Sequence, residues 1–197
     1  MNHYYTQNPD TPHDIGTIDY EVNGIKLQLT TDSGVFSKNK VDYGSNLLIN
    51  SLPSTSGNIL DLGCGYGVIG ISLAKLNPGS SVTMVDINER AVDLAKKNIK
   101  LNNVTNARVT QSNGFSNVMD KFDMIVSNPP IRTGKKVIYP LFEKSISYLN
   151  PGGAIYIVIQ KKQGAKSAFS KLEEIYGNCG VINKSGGYWI IRSIKQP

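Results

Sequence analysis

Three features of this chain bring together residue types that can do chemistry. The first is the tetrapeptide Asn128-Pro129-Pro130-Ile131, which follows an apolar run, Phe122 to Ser127, that reads as a buried strand. Neither proline can continue a central strand, because each lacks an N–H and has its φ fixed. Asn128 precedes a proline, which pushes its backbone towards extended geometry. The strand must therefore end in a stiff corner carrying a side-chain amide and bare carbonyls. Such a corner can hold a flat group that bears N–H bonds. The second feature is Asp61-Leu62-Gly63-Cys64-Gly65-Tyr66-Gly67, at the end of another apolar run, in which Gly65 to Gly70 matches the G-x-G-x-x-G fingerprint of nucleotide-cofactor loops. The third is Asp86, at the end of the next strand, where an acid would bind ribose hydroxyls.

The glycines alone fit a dinucleotide oxidoreductase. Asp61 changes the balance, since a carboxylate near the expected pyrophosphate would repel its phosphates. It favours instead a ligand with a cationic amino group. S-adenosylmethionine has that group, a ribose for Asp86 and no phosphate. Gly63, Gly65 and Gly67, with Cys64 among them, would let the backbone approach such a ligand closely. A plainer reading stands beside each acid: Asp61 as a loop-ordering group, Asp86 as a cap for the helix after Asn88. Asn113-Gly114 lies where an adenine edge should fall, and the Asn113 amide offers both an acceptor and a donor. An ordinary Asn-Gly turn explains it equally well. Ile87 is either packing for an adenine face or simply core.

These residues need a scaffold that brings strand ends together. Ile15 to Val22 and Ile25 to Thr31 read as a β-hairpin around Asn23-Gly24. A loop with an embedded Phe36 follows, then a helix over Val41 to Leu52. From Asn58 short strands alternate with helices. The strands are Ile59 to Leu62, Val82 to Val85, Ala107 to Thr110, Phe122 to Ser127 and Ala154 to Ile159. The helices are Val68 to Leu76, an Asn88-capped helix to Leu101, Val137 to Leu149 and Ala165 to Tyr176. Asn150-Pro151-Gly152-Gly153 is expected to stop the third of these. Gly180 to Ile194 reads as an antiparallel pair turning near Ser185-Gly186-Gly187. Alternation of apolar strands with helices predicts an α/β fold with a mainly parallel sheet covered on both faces. The expectation is one domain over residues 1–197, with residues 1–57 as a hairpin and helix extension and 58–197 as a Rossmann-like core.

No run is apolar for long enough to span a bilayer. Met1-Asn2-His3-Tyr4-Tyr5 lacks the basic and apolar regions of a signal peptide. Cys64 and Cys179 are far apart, and the two histidines give no metal-ligand spacing. A cytoplasmic, reduced, metal-free protein is expected. Lysine and arginine exceed the acids by 21 − 15 = 6, a modest basic excess that permits a polyanionic partner.

Asp61 to Gly67 with Asp86 resembles the cofactor site of the class I S-adenosylmethionine-dependent methyltransferases. Asn128-Pro129-Pro130-Ile131 is similar to the N/D-P-P-x motif of the branch that methylates amino or amide nitrogens. The longer strings Ser127 to Lys135 and Thr31 to Ser37 resemble the methyltransferase domain of small-subunit ribosomal RNA guanine-N2 methyltransferases and their single-domain bacterial relatives. The match runs from about residue 18 to the end. It implies a seven-stranded, mostly parallel sheet with an antiparallel last strand. It implies that S-adenosylmethionine is held by Asp61, Gly63, Cys64, Gly65, Gly67, Asp86, Ile87, Asn113, Gly114 and Asn128. It further implies that the Asn128 side-chain carbonyl and the Pro130 backbone carbonyl (or that of Pro129) accept hydrogen bonds from the target NH2. A guanine amine is a poor nucleophile because its lone pair is delocalised into the ring. Two acceptors would draw the hydrogens out of plane, and alignment would supply most of the catalysis.

Two departures shape the expected target. Many relatives carry an acid where Asn113 stands, and adenine- or glutamine-directed relatives usually carry an aromatic where Ile131 stands. Phe36 would supply stacking from the upstream loop if it is not core. Arg132, Lys135, Lys136, Lys161 and Lys162 should emerge at carboxyl strand ends, and Lys38 and Lys40 beside Phe36, forming a basic rim for phosphate contacts. The leading expectation is ribosomal RNA or the small ribosomal subunit as partner, and guanine N2 as target. A protein glutamine, an adenine amine, or a non-catalytic binding role are the alternatives.

Overall fold

The computed structural model describes residues 12–197. The expectation about Met1 to Tyr5 lies outside the described residues. The chain runs β1 (Gly16–Val22), β2 (Ile25–Thr31), α1 (Tyr43–Ser51), β3 (Asn58–Leu62), α2 (Val68–Leu76), β4 (Ser81–Asp86), α3 (Glu89–Leu101), β5 (Ala107–Gln111) and β6 (Phe122–Ser127). It continues through α4 (Lys135–Tyr148), β7 (Leu149–Gln160), α5 (Ala165–Tyr176), β8 (Gly180–Ser185) and β9 (Tyr188–Ile194).

Seven strands form one sheet in the order β5-β4-β3-β6-β7-β9-β8. The first five of these are parallel, and β9 runs antiparallel to both β7 and β8. The last strand thus inserts between its two neighbours; the Ser185-Gly186-Gly187 turn accounts for its antiparallel pairing with β8 but not for this order. Strand alternation sorts the core into two layers. On β6 and β7, Met124, Val126, Tyr156 and Val158 join the layer under α1, α2 and α3. Ile125, Ile155, Ile157 and Ile159 join the layer under α4 and α5.

The chain leaves β3 for β4 and β5 on one side and returns to β6 on the other. That reversal is a topological switch point, where two strand ends diverge and leave a crevice. The glycine loop follows β3 and the Asn128 corner follows β6, so adjacent strands deliver both motifs to one crevice.

The N-terminal hairpin turns at Asn23 and Gly24, with φ of 48° and 77°, the paired left-handed geometry of a tight hairpin. It docks on α3 through two asparagines one turn apart. Asn98 bonds the N–H and C=O of Thr30 at 2.7 and 2.9 Å, and Asn102 those of Gln28 at 3.0 and 2.8 Å. Four helical residues rise about 6 Å and two strand residues about 6.6 Å, so the helix face matches the strand's hydrogen-bonding repeat.

The element boundaries that differ most from expectation lie around the start of β7. α4 begins at Lys135 and ends at Tyr148, and the strand starts at Leu149 rather than Ala154. The helix does end just before Asn150, as expected, but Asn150-Pro151-Gly152-Gly153 is a bulge within β7 rather than a turn that precedes the strand. Leu149 pairs with Phe122 and Ala154 with Met124, so the bulge is accommodated in the register. Gly152 (φ 77°) and Gly153 fix the bulge by exchanging backbone hydrogen bonds with Lys195. Among the described residues no helix is long and apolar enough to cross a membrane, and no group of three His, Cys, Asp or Glu is placed to hold a metal.

Candidate active site

The crevice opens into a cavity of about 720 Å³ at the carboxyl ends of β3, β4, β6 and β7. Its walls bring together most of the residues singled out from sequence. Gly63, Cys64 and Gly65 form one side, Asp86 and Ile87 a second, Asn113 and Gly114 a third. Asn128 to Ile131 lies across from them, and Phe36 reaches in from the loop after β2. Phe36 is exposed rather than core, so its ring is free to meet a ligand.

The glycine loop is held open by its own backbone. The N–H groups of Gly63 and Cys64 both donate to Val85 C=O at 2.9 Å, tying the loop to the end of β4. Asp86 accepts from the Gly65 N–H at 2.8 Å through one oxygen and from the Asn88 N–H at 2.9 Å through the other. Burial pushes its carboxyl pKa up, while these N–H bonds oppose the rise. The Ile87 N–H is a third backbone donor to this carboxylate, which leaves one lone pair for a hydroxyl. Asn88 caps α3 with its own side chain, so the plain reading of Asp86 as that helix's cap does not hold. Gly63 and Gly65 sit at positive φ with nothing within 4 Å of a would-be Cβ, leaving a cradle that only bare backbone lines.

Asp61 is elsewhere than expected. It is fully buried one position before the end of β3 and does not line the cavity. Strand alternation sets it on the same face as Ile59, under α2. Its Oδ2 accepts from the Gly70 N–H at 2.8 Å, which orders the first turn of α2. Its Oδ1 is buried with no partner among the described residues. Burial, with a contribution from Asp86, pushes its pKa up to about 7. Cys64 is buried, and burial with Asp86 and Asp61 nearby drives its thiol pKa well up, so it stays protonated and is no nucleophile.

The Asn128 corner is more constrained than its sequence suggests. Pro130 (φ −73°, ψ 73°) makes an inverse γ-turn, with the Ile131 N–H donating to Pro129 C=O at 2.8 Å. Pro130 C=O already accepts from Thr133 N–H at 2.9 Å and Thr133 Oγ1–H at 2.7 Å. Both of its lone pairs are used, whereas Pro129 C=O keeps one. The corner's spare backbone acceptor is therefore Pro129, not Pro130. The Asn128 amide donates through Nδ2 to Asp42 Oδ2 at 3.1 Å and to Ser45 Oγ at 2.9 Å. Asp42 caps α1, and neither partner stood out in the sequence, although an Asp three residues before a Ser at a helix start is a capping signal.

The basic rim is redrawn. Lys135 does not line the cavity: it turns to Ser167 Oγ at 3.3 Å and over the Tyr139 ring, because it starts α4 on the side facing α5. Lys136 and Lys144, two turns apart on α4, line the cavity instead. Lys38 pairs with Asp14. Lys161 and Lys162 are exposed just past β7, beside the cavity-lining Gln160 and Gln163. The Arg132 side chain lies outside the described residues.

This arrangement has close counterparts. A structure of a T. thermophilus 16S rRNA N2 G1207 methyltransferase in complex with AdoMet and guanosine superposes with a TM-score of 0.85 at 25% identity, over 95% of this chain and 52% of that one. The fold is that of a class I S-adenosylmethionine-dependent methyltransferase. The chain belongs to the methyltransferase small domain family, whose match spans residues 26–192. It is 47% identical over 197 residues to the uncharacterized protein YbxB of Bacillus subtilis (strain 168), covering 98% of each. It is 35% identical over 182 residues to the ribosomal RNA small subunit methyltransferase C of Vibrio vulnificus (strain CMCP6), covering 88% of this chain and 51% of that protein. The chain spans about half the length of the ribosomal RNA methyltransferases it matches.

Proposed function

We propose that this protein transfers a methyl group from S-adenosylmethionine to the exocyclic N2 of a guanine in ribosomal RNA. The carrying observation is the Asn128 amide. Both Nδ2 hydrogens are engaged by Asp42 and Ser45, which leaves Oδ1 as an acceptor next to the spare lone pair of Pro129 C=O. Two convergent acceptors suit a target with two N–H bonds, and would turn its lone pair out of the ring plane.

The cofactor fits the residues present. Asp61 Oδ1 is a buried acceptor without a partner among the described residues, the cradle at Gly63 and Gly65 admits close approach, and Asp86 has a lone pair for a ribose hydroxyl. S-adenosylmethionine supplies a methyl carbon already activated by its sulfonium. The protein's share is therefore alignment rather than acid–base chemistry. Asn113 and Ile87 flank the place for an adenine, and Phe36 and Ile131 offer apolar faces for the target base. Lys136 and Lys144 at the mouth favour a polyanion over a protein side chain. A structured RNA would flip the base out to reach the corner.

Tritiated methyl transfer to ribosomal RNA and to small subunits from a strain lacking this protein, followed by nucleoside analysis, tests the reading. N2-methylguanosine is expected. Label in adenosine or in protein would move the target to one of the alternatives. Asn128→Ala should keep cofactor affinity within about twofold and cut turnover by about 100-fold or more. Undiminished turnover would make the corner a structural turn only.

A further inference from the structure

An amide is nearly symmetric in outline, so Asn128 is useful only one way round. With Oδ1 towards the cavity it accepts a hydrogen bond from a target amine. Flipped, it presents its own NH2 to another NH2, and the corner repels the group it should hold. Something must fix the orientation.

That something lies beside the corner, at the start of α1, where Asp42 and Ser45 also line the cavity. Asp42 is a carboxylate with no hydrogens, so only Nδ2 of Asn128 can face it. Ser45 Oγ, buried, takes the second Nδ2 hydrogen. Asp42 is in turn fixed as the cap of α1: its Oδ2 accepts from the Ser45 N–H at 3.1 Å and its C=O from the Asn46 N–H at 3.0 Å. The turn is pinned from its other side by the β8–β9 hairpin. A Cβ on Gly44 would lie 2.8 Å from the Tyr188 ring, so glycine alone allows that approach. Tyr43 bonds Ser185 Oγ at 2.7 Å, and its ring leans on Tyr188 at 5.7 Å between centroids.

We propose that Asp42, with Ser45, is a positioning pair that sets the orientation of the Asn128 amide and so makes the corner an acceptor for the target's N–H bonds. This role rests on the methyl-transfer reading of the corner given above. Both side chains also line the cavity, and their role in the corner is exerted through the Asn128 amide that they hold.

A purely structural Asp42, present only to cap α1, is separable from a positioning one. Asn caps a helix as well as Asp, so Asp42→Asn retains the cap. It does not retain the orientation, because an Asn amide can pair with either end of the Asn128 amide. The test uses the full chain with S-adenosylmethionine and ribosomal RNA. Unfolding midpoints report the fold, calorimetry reports cofactor affinity, and steady-state transfer gives kcat and KM for RNA. Asp42→Asn should keep the midpoint, the cofactor affinity and KM, while kcat falls by about 10-fold or more. Ser45→Ala should lower kcat by less, as one acceptor remains. The decisive variants are Asn128→Asp and the double variant Asp42→Asn with Asn128→Asp. The single change sets two carboxylates against each other. The double change restores a donor at position 42 and leaves an oriented acceptor oxygen at 128. Its kcat should exceed that of Asn128→Asp by about 10-fold, a rescue that a capping role cannot produce. Wild-type kcat in Asp42→Asn, or a double variant no better than Asn128→Asp, would overturn the positioning role while leaving methyl transfer standing. No transfer by the unsubstituted protein would overturn both.

Discussion

Asp61 carries an unusual load for one carboxyl group. One oxygen holds the start of α2 through Gly70, and the other is buried without a partner among the described residues. Its pKa is raised to about 7, chiefly by burial and further by Asp86. An unfolded chain would ionise the same group near pH 4. Between about pH 4 and pH 7 the folded protein therefore holds a proton that the unfolded chain has released. The stability from this group is full below that window, is lost as pH rises through it, and stays flat above. Asp61→Asn keeps the volume and removes the titration. Without cofactor, the variant's melting temperature should match the wild type near pH 4 and exceed it at pH 8, read by a pH series of thermal unfolding. Cofactor affinity should behave oppositely. A cationic ligand favours the ionised form, so wild-type affinity should rise with pH through 7 by up to about tenfold per unit below the pKa, and the variant's should be flat over that range. Parallel pH slopes in the two proteins would refute both expectations. At this scale the sequence was informative about which residues matter but not which way they face. Asp61 was legible as an acid by the loop, yet its burial under α2 follows from strand parity. The choice of Pro129 over Pro130 depends on a γ-turn and on Thr133, which no spacing announces.

The elements carrying these residues were readable where periodicity and punctuation agreed. α2, α5 and β6 fall where apolar spacing and flanking Gly, Asn or Pro put them. β7 did not, because Asn150-Pro151-Gly152-Gly153 is a turn signal whether it separates two elements or bulges inside one. The docking of β2 on α3 was also invisible, since Asn98 and Asn102 look like ordinary polar helix positions. The closest fit between elements is at Gly70, the last glycine of the fingerprint. A Cβ there would lie 2.3 Å from Met84 Sδ and 3.1 Å from Asp61 Oδ2. Met84 is fully buried and cannot swing away. Gly70→Ala should therefore lift the start of α2 and cost about 1–3 kcal/mol, measured by urea denaturation. Because that turn also holds Asp61 and ends the glycine loop, cofactor affinity should fall with it. A variant of wild-type stability would mean that the helix and strand have slack the packing does not suggest.

For the whole molecule, sheet order decides what meets what. The reversal between β3 and β6 sets the cofactor loop beside the corner; the alternation of strands and helices made the parallel sheet legible, though not its strand order. The insertion of β9 between β7 and β8 was not legible either, and it is what brings Tyr188 against Gly44 and so α1 against Asn128. The same topology separates the basic residues into two groups that sequence proximity had merged. α4 presents Lys136 and Lys144 to the cavity and turns Lys135 towards α5. If RNA phosphates lie across the mouth, Lys136→Ala and Lys144→Ala should each raise KM for RNA several-fold. Each should also lower the slope of log affinity against log salt by about one for every phosphate that is no longer neutralised. Maximal turnover should be kept, because on this reading both ammoniums serve RNA binding and not the methyl transfer itself. Lys135→Ala, adjacent in sequence, should leave the salt slope unchanged, since its ammonium already faces Ser167 and Tyr139. Filter binding of ribosomal RNA across a salt series reads all three. Equal effects at 135 and 136 would mean that overall charge, not this face of α4, draws the RNA in.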